Sequence, residues 1–213
     1  PSIFVRFFGC NFRCPYCHNS ELVMPPNDAL SYSYNEIFDH LTSKIKILDG
    51  VCITGGEPTL HPDLPDFIRS IKDLGLLVKL DTNGTNPNML NDLIENKLLD
   101  YIAMDIKNSP ERYGETVGIK GFDMGRVNES IAYLLSKPVD YEFRTTTLKQ
   151  FHDRASFEGI AQMIDGAENY YIQGFVDRES VPYAGLSAYT REELEEFQAI
   201  VAPHVHNIGI RGV

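Results

Sequence analysis

Three of the four cysteines in this 213-residue chain fall close together, at Cys10, Cys14 and Cys17. The run Cys10-Asn11-Phe12-Arg13-Cys14-Pro15-Tyr16-Cys17 is a Cx3Cx2C pattern that puts three thiolates on one tight loop. Thiolates are the usual protein ligands of iron–sulfur clusters, and three of them suffice for three irons of a [4Fe–4S] cluster. The fourth iron then has no cysteine. Cys52 is the one thiol left, and it lies inside an apolar run, where it reads as a buried core residue. A cluster with an open iron can coordinate a small molecule as well as pass electrons. The competing reading is a zinc knuckle completed by His18 or a remote histidine. Structural zinc sites usually pair two short-spaced couples, and the chain has no second couple.

Further polar and glycine-rich motifs follow the cysteines. Thr54-Gly55-Gly56-Glu57-Pro58 places a glycine pair where backbone can approach a ligand closely, and Glu57 offers a carboxylate to a cationic group such as an α-amine. Asp81-Thr82-Asn83-Gly84 is followed one unit later by Asp105-Ile106-Lys107. Asp81, Thr82 and Asp105 could share a hard cation, which prefers oxygen ligands. Lys107 is placed to neutralise a ligand carboxylate. Arg144 sits within YEFRTTT (residues 141–147), and a charge inside a buried strand is costly unless paired, so it is expected to point into a pocket. Gln173 in YYIQGF makes a weaker form of the same case. The six histidines form no constellation, and His40, His61 and His152 read as surface positions. No catalytic triad order and no phosphate loop is evident.

These residues need elements to hold them, and the chain supplies a regular alternation. β-Branched and aromatic runs at 2–8, 51–54, 77–80, 100–106, 141–147 and 170–173 read as strands, with 208–211 as a last one. Between them lie amphipathic helical stripes. Ser33-Tyr34-Asn35-Glu36 and Thr190-Arg191-Glu192-Glu193 are capping boxes, and Asn86-Pro87 opens another helix. Strand–helix alternation implies a mostly parallel sheet with helices outside. Cys10, Gly55, Asp81, Asp105 and Gln173 all end or follow a strand, the edge at which parallel α/β folds build their sites. The fold class expected from this alternation is α/β, forming one domain over residues 1–213.

Composition narrows the function. The chain carries 19 basic and 30 acidic residues and a net charge of −11. Duplex binding needs a basic face, so the composition argues against nucleic acid as a partner, and equally against an anionic membrane. No apolar run approaches the ~20 residues that span a bilayer. Clustered cysteines without a disulfide framework point to metal in a reducing compartment, hence the cytoplasm.

Together these motifs resemble the radical S-adenosylmethionine enzymes, in which a Cx3Cx2C loop with an aromatic before the last cysteine, here Tyr16, is followed by GGEP. The strings GCNFRCPYCHN (9–19), TGGEPTLHPDL (54–64), LDTNGTNP (80–87), LLDYIAMDIK (98–107) and the closing RGV resemble the glycyl-radical activating enzymes. They are most like the anaerobic ribonucleoside-triphosphate reductase activating family, with pyruvate formate-lyase activating enzyme a similar relative. The resemblance implies an open, partial TIM-type (β/α)6 barrel, and a [4Fe–4S] cluster on Cys10, Cys14 and Cys17, with S-adenosylmethionine on its open iron. It implies that Gly55, Gly56 and Glu57 receive the methionine amine, Lys107 and Arg144 the carboxylate, and that Tyr16 lies near the adenine. Asn83 and Gln173 complete the cofactor set, and no catalytic residue is implied beyond cluster and cofactor. Asp81, Thr82 and Asp105 match a monovalent-cation site, for sodium or potassium. The implied reaction is one-electron cleavage to methionine and a 5′-deoxyadenosyl radical, fed by flavodoxin or ferredoxin. That radical takes a hydrogen from a glycine Cα of a partner glycyl-radical enzyme. Family members carry a short segment before the first strand, so a native N-terminal segment is expected ahead of Pro1. FVRFFGCNFRC (4–14) also resembles 7-carboxy-7-deazaguanine synthase, which continues Cys-Asp-Thr where this chain has Cys17-His18-Asn19. That small-molecule enzyme, and a non-catalytic iron–sulfur or zinc module, are the alternatives.

Overall fold

In the computed structural model, which describes residues 1–213, every apolar run becomes a strand. The strands are β1 (Ser2–Phe7), β2 (Gly50–Gly55), β3 (Leu77–Thr82), β4 (Tyr101–Asp105), β5 (Asp140–Thr147), β6 (Ala167–Gly174) and β7 (Val205–Arg211). The helices are α1 (Ser20–Val23), α2 (Tyr34–Lys44), α3 (Leu64–Asp73), α4 (Pro87–Glu95), α5 (Tyr113–Thr116), α6 (Gly125–Leu135), α7 (Arg154–Met163) and α8 (Arg191–Val201). The sheet order follows the chain, β1 to β7, and every pairing is parallel. Parallel neighbours need a crossover, and a long helix supplies each one. β1 and β7 do not pair, so the expected open barrel is present, with a seventh strand at its end.

Local sequence explains the elements. α3 buries Leu64, Phe67, Ile68 and Ile71 at i, i+3, i+4 and i+7, which places one apolar stripe on the sheet. Burial of each such side chain contributes about 1.5–3 kcal/mol. Ser33 and Thr190 cap α2 and α8 through reciprocal bonds with Glu36 and Glu193, each worth about 1 kcal/mol. α7 opens on a third box, Asp153 with Ser156. The main core lies between sheet and helices, and includes Ile53, Leu80, Ile102, Phe143 and Ile172 from the strands. Alternation along each strand then turns the other set of side chains toward the barrel interior. On β5 that set includes Glu142, Arg144 and Thr146. Glu142 is buried there, taking Arg211 of β7 bidentately at 2.9 and 3.0 Å and the Tyr101 hydroxyl at 3.0 Å. No helix is long and apolar enough to cross a membrane.

Candidate active site

The carboxyl ends of the strands surround a pocket of about 320 Å³, and all of the expected site residues line it. Cys10, Cys14 and Cys17 form one wall, Gly55, Gly56 and Glu57 another. Asp81, Thr82, Asn83, Asp105, Lys107, Arg144 and Gln173 continue round the strand ends, and Tyr16 of the cysteine loop also lines the pocket. The spacing of these groups in sequence is wide, and the parallel sheet alone brings them together.

The cysteine loop is fixed by its neighbours. Gly9 turns it at φ +80°. Phe12 is buried edge-on to Phe122, with centroids 5.4 Å apart. The Arg13 amide donates to the Val117 carbonyl at 2.8 Å. Gly118 passes so close that a Cβ there would sit 2.4 Å from the Arg13 carbonyl oxygen. His18 stacks on Phe175 at 5.5 Å, and its ring bonds the Val176 carbonyl at 2.7 Å. The segment after β6 is thereby pinned over the loop. Burial pushes the Cys14 thiol up to about 12 and raises Cys10 as well. Metal binding at these thiols therefore releases protons, since thiolates are the ligands.

At the glycine corner the Gly56 amide donates to the Phe7 carbonyl and the Glu57 amide to the Gly9 carbonyl, both at 2.8 Å. Gly55 has φ +120°, and a Cβ on Gly56 would lie 1.9 Å from the Gly9 oxygen. β1 and β2 thus meet here with no room for a side chain. The Glu57 carboxylate is buried and occupied within the protein. Oε1 accepts from the Thr59 amide (3.1 Å), the Thr59 hydroxyl (2.5 Å) and the Thr82 hydroxyl (2.7 Å), and Oε2 from the Asn83 amide (2.6 Å). Burial raises its pKa, an effect these donors oppose. Asn83 is held in turn by Asn11 and Thr85.

A chain of ion pairs crosses the pocket wall. Lys79 reaches Asp81 at 2.6 Å, and Arg144 Nη2 approaches the other Asp81 oxygen at 3.4 Å. Arg144 Nε donates to Asp105 Oδ1 at 2.6 Å and Lys107 to Oδ2 at 2.8 Å. Burial would push the Asp105 carboxyl up, but Arg144 and then Lys107 outweigh it and hold it well below the usual carboxylate range. Thr82 is turned toward Glu57 instead of joining this chain.

Two residues escaped sequence reasoning. Lys79 shares a strand face with Asp81, a signal that the two-residue spacing did carry. His152, expected at the surface, is 1% exposed. Its Nε2 faces the Lys107 carbonyl at 2.8 Å and its Nδ1 accepts from the Leu148 amide at 3.4 Å. Burial lowers its pKa to about 4. The neutral ring therefore braces the Lys107 backbone.

Residues 4–164 match the radical SAM superfamily. The chain belongs to that superfamily. A Methanocaldococcus jannaschii relative, provisionally named a glycyl-radical enzyme activating enzyme, is 32% identical over 100% of this chain and 89% of its own length. A 7-carboxy-7-deazaguanine synthase from Aquifex aeolicus is 38% identical, over 40% of this chain and 37% of its own. Among solved structures, Streptococcus suis SuiB bound to S-adenosylmethionine superposes with a TM-score of 0.77 at 12% identity. It covers 99% of this chain, which spans 50% of SuiB. The chain is thus a radical SAM enzyme whose cofactors are a [4Fe–4S] cluster and S-adenosylmethionine.

The residues present fit those cofactors. Three thiols border the pocket and the glycine corner is bare of side chains. The Tyr16 hydroxyl is buried with no hydrogen-bond partner in the protein. A buried unpartnered hydroxyl is costly, so a polar ligand group is a natural partner for it.

Proposed function

We propose that this enzyme activates a glycyl-radical enzyme by taking a hydrogen atom from a glycine Cα of that partner, as an activase of the anaerobic ribonucleotide reductase type. When bound, the cluster and S-adenosylmethionine supply a carbon-centred radical formed by one-electron cleavage. The chain's residues bind, orient and shield. Cys10, Cys14 and Cys17 hold three irons. Main-chain carbonyls of the Gly55–Gly56 corner, where the Gly55 oxygen also accepts from the Asn19 side-chain amide at 3.2 Å, would receive the methionine amine, the Glu57 oxygens being engaged by four donors. Lys107 and Arg144 attract the carboxylate, and Asn83, Gln173 and Tyr16 border the remainder of the cofactor. A reduced flavodoxin or ferredoxin provides the electron, in the reducing cytoplasm.

One observation carries the choice of a protein substrate. The barrel wall is open, and the pocket shares Phe4 and Arg6 with a groove of about 750 Å³ along the unpaired edge strand β1. A polypeptide loop can reach the pocket by that side. The activase likeness over the whole chain supports the same reading. The deazaguanine synthase likeness covers 40% of it in one relative and 70% in another.

The test is electron paramagnetic resonance on reduced, reconstituted enzyme with its candidate reductase. A glycyl-radical doublet, lost when Cys14 is replaced by Ala, is expected. Absence of the doublet under conditions that still release 5′-deoxyadenosine would refute the partner assignment.

A further inference from the structure

The family resemblance implies a monovalent cation held by Asp81, Thr82 and Asp105, and the donor set does not suit one. Both oxygens of each carboxylate already face a cationic nitrogen: Asp81 takes Lys79 and Arg144, and Asp105 takes Arg144 and Lys107. The Thr82 hydroxyl is spent on Glu57. A metal ion placed between the carboxylates would meet the Arg144 guanidinium and two ammonium groups.

We propose that Arg144 is a built-in substitute for that cation, bridging Asp81 and Asp105 so that cofactor binding needs no sodium or potassium. The sheet register puts it there. Arg144 pairs directly with Asp105 across β4 and β5. Asp81 lies opposite Ala103 on β4, two positions from Asp105 on the same face. A methyl side chain at Ala103 leaves the space through which the guanidinium reaches Asp81. The group is 16% exposed and touches each carboxylate through a different nitrogen, Nε and Nη2. Nη1 makes no hydrogen bond within the protein and remains available to an anionic group. A guanidinium is a fixed, permanently charged fork, so it does the work of a bridging ion without an exchange equilibrium.

This inference rests on S-adenosylmethionine binding alone, so a failed activase assay leaves it standing. The test compares cluster-reconstituted enzyme in sodium, potassium and choline chloride at constant ionic strength. It has two readouts: the Kd for S-adenosylmethionine, and the Tm of the same enzyme before S-adenosylmethionine is added. For the unaltered chain the Kd is expected to vary less than about twofold, and the Tm not to respond to sodium or potassium specifically. A saturable tightening or a rise in Tm with either ion overturns the proposal. Arg144→Met should weaken binding about tenfold or more in choline and regain most of it on adding sodium or potassium. Binding by the variant that is unchanged in choline, or equally weak in every salt, also overturns it, the latter making Arg144 a direct cofactor contact only. Should the variant fail to fold, the salt comparison on the unaltered chain decides alone.

Discussion

Replacing Glu57 separates two roles that the GGEP motif leaves mixed. If its carboxylate is a structural acceptor, as its four donors indicate, then Glu57→Gln changes stability more than cofactor affinity. The amide oxygen can take the Oε1 place and keep Thr59 and Thr82. The amide nitrogen then faces the Asn83 amide, which loses the acceptor it holds at 2.6 Å. One stranded, buried backbone donor costs about 1–3 kcal/mol. Glu57→Ala strands two backbone donors, those of Thr59 and Asn83, so its loss is roughly 2–6 kcal/mol before any cavity term.

For a chain of this size each kcal/mol lowers Tm by about 2–4 °C. Urea unfolding and thermal melts of reconstituted Glu57→Gln should show this loss. Its Kd for S-adenosylmethionine, measured where the protein stays folded, should change by less than about threefold. A variant that melts like the parent but binds the cofactor more than tenfold more weakly would refute the argument. It would make the carboxylate a free ligand for the methionine amine.

Three further outcomes follow from the same geometry. Gly56→Ala drives a Cβ into the Gly9 carbonyl at 1.9 Å, so we expect a cost of roughly 1–3 kcal/mol and fewer irons per chain by iron and sulfide analysis. Tyr16→Phe removes a hydroxyl with no partner in the protein. It should raise the Tm of the cofactor-free protein, by about 1 kcal/mol of stability, while shrinking the Tm rise that S-adenosylmethionine produces. His152 titrates near 4 when folded, against 6.5 for an ordinary histidine. The unfolded chain therefore takes up the proton first, and stability falls as pH drops from about 6.5 to 4, by about 3 kcal/mol in all. Denaturant melts across that range should lose this component in His152→Gln.

Much of the scaffold is legible because each piece is local. Three of the capping signals, at Ser33, Asn86 and Thr190, stand within four residues of the groups they bond. The box at Asp153 escaped because Ser156 stands where a Glu or Gln is the usual signal. The site residues themselves are legible from motif type and from their places at strand ends. Their partners are not. Nothing near Glu57 in sequence indicates that Thr82 and Asn83, one strand away, would claim its oxygens. His152 reads as a loop residue, and only the packing of the β5–α7 turn against Lys107 buries it. The pairing of Arg144 with Asp105 depends on strand register, which periodicity does not determine.

Register also explains why the barrel interior has two electrostatic layers. In the lower layer Glu142 meets Arg211, which stacks on Tyr171 at 3.3 Å from the ring centre. One carboxylate and one guanidinium cancel, and the Tyr101 hydroxyl satisfies the carboxylate further. Two residues higher on β5, Arg144 joins Lys79 and Lys107 against Asp81 and Asp105. Three cations meet two carboxylates there, while Glu57 across the pocket is bound by neutral donors only. Each cation has a carboxylate partner, but the layer carries one positive charge more than its carboxylates cancel, and it sits where the cysteine loop also converges. The lower layer is balanced without a ligand. The upper layer would reach balance on taking in one anionic group, the part assigned above to the carboxylate of S-adenosylmethionine.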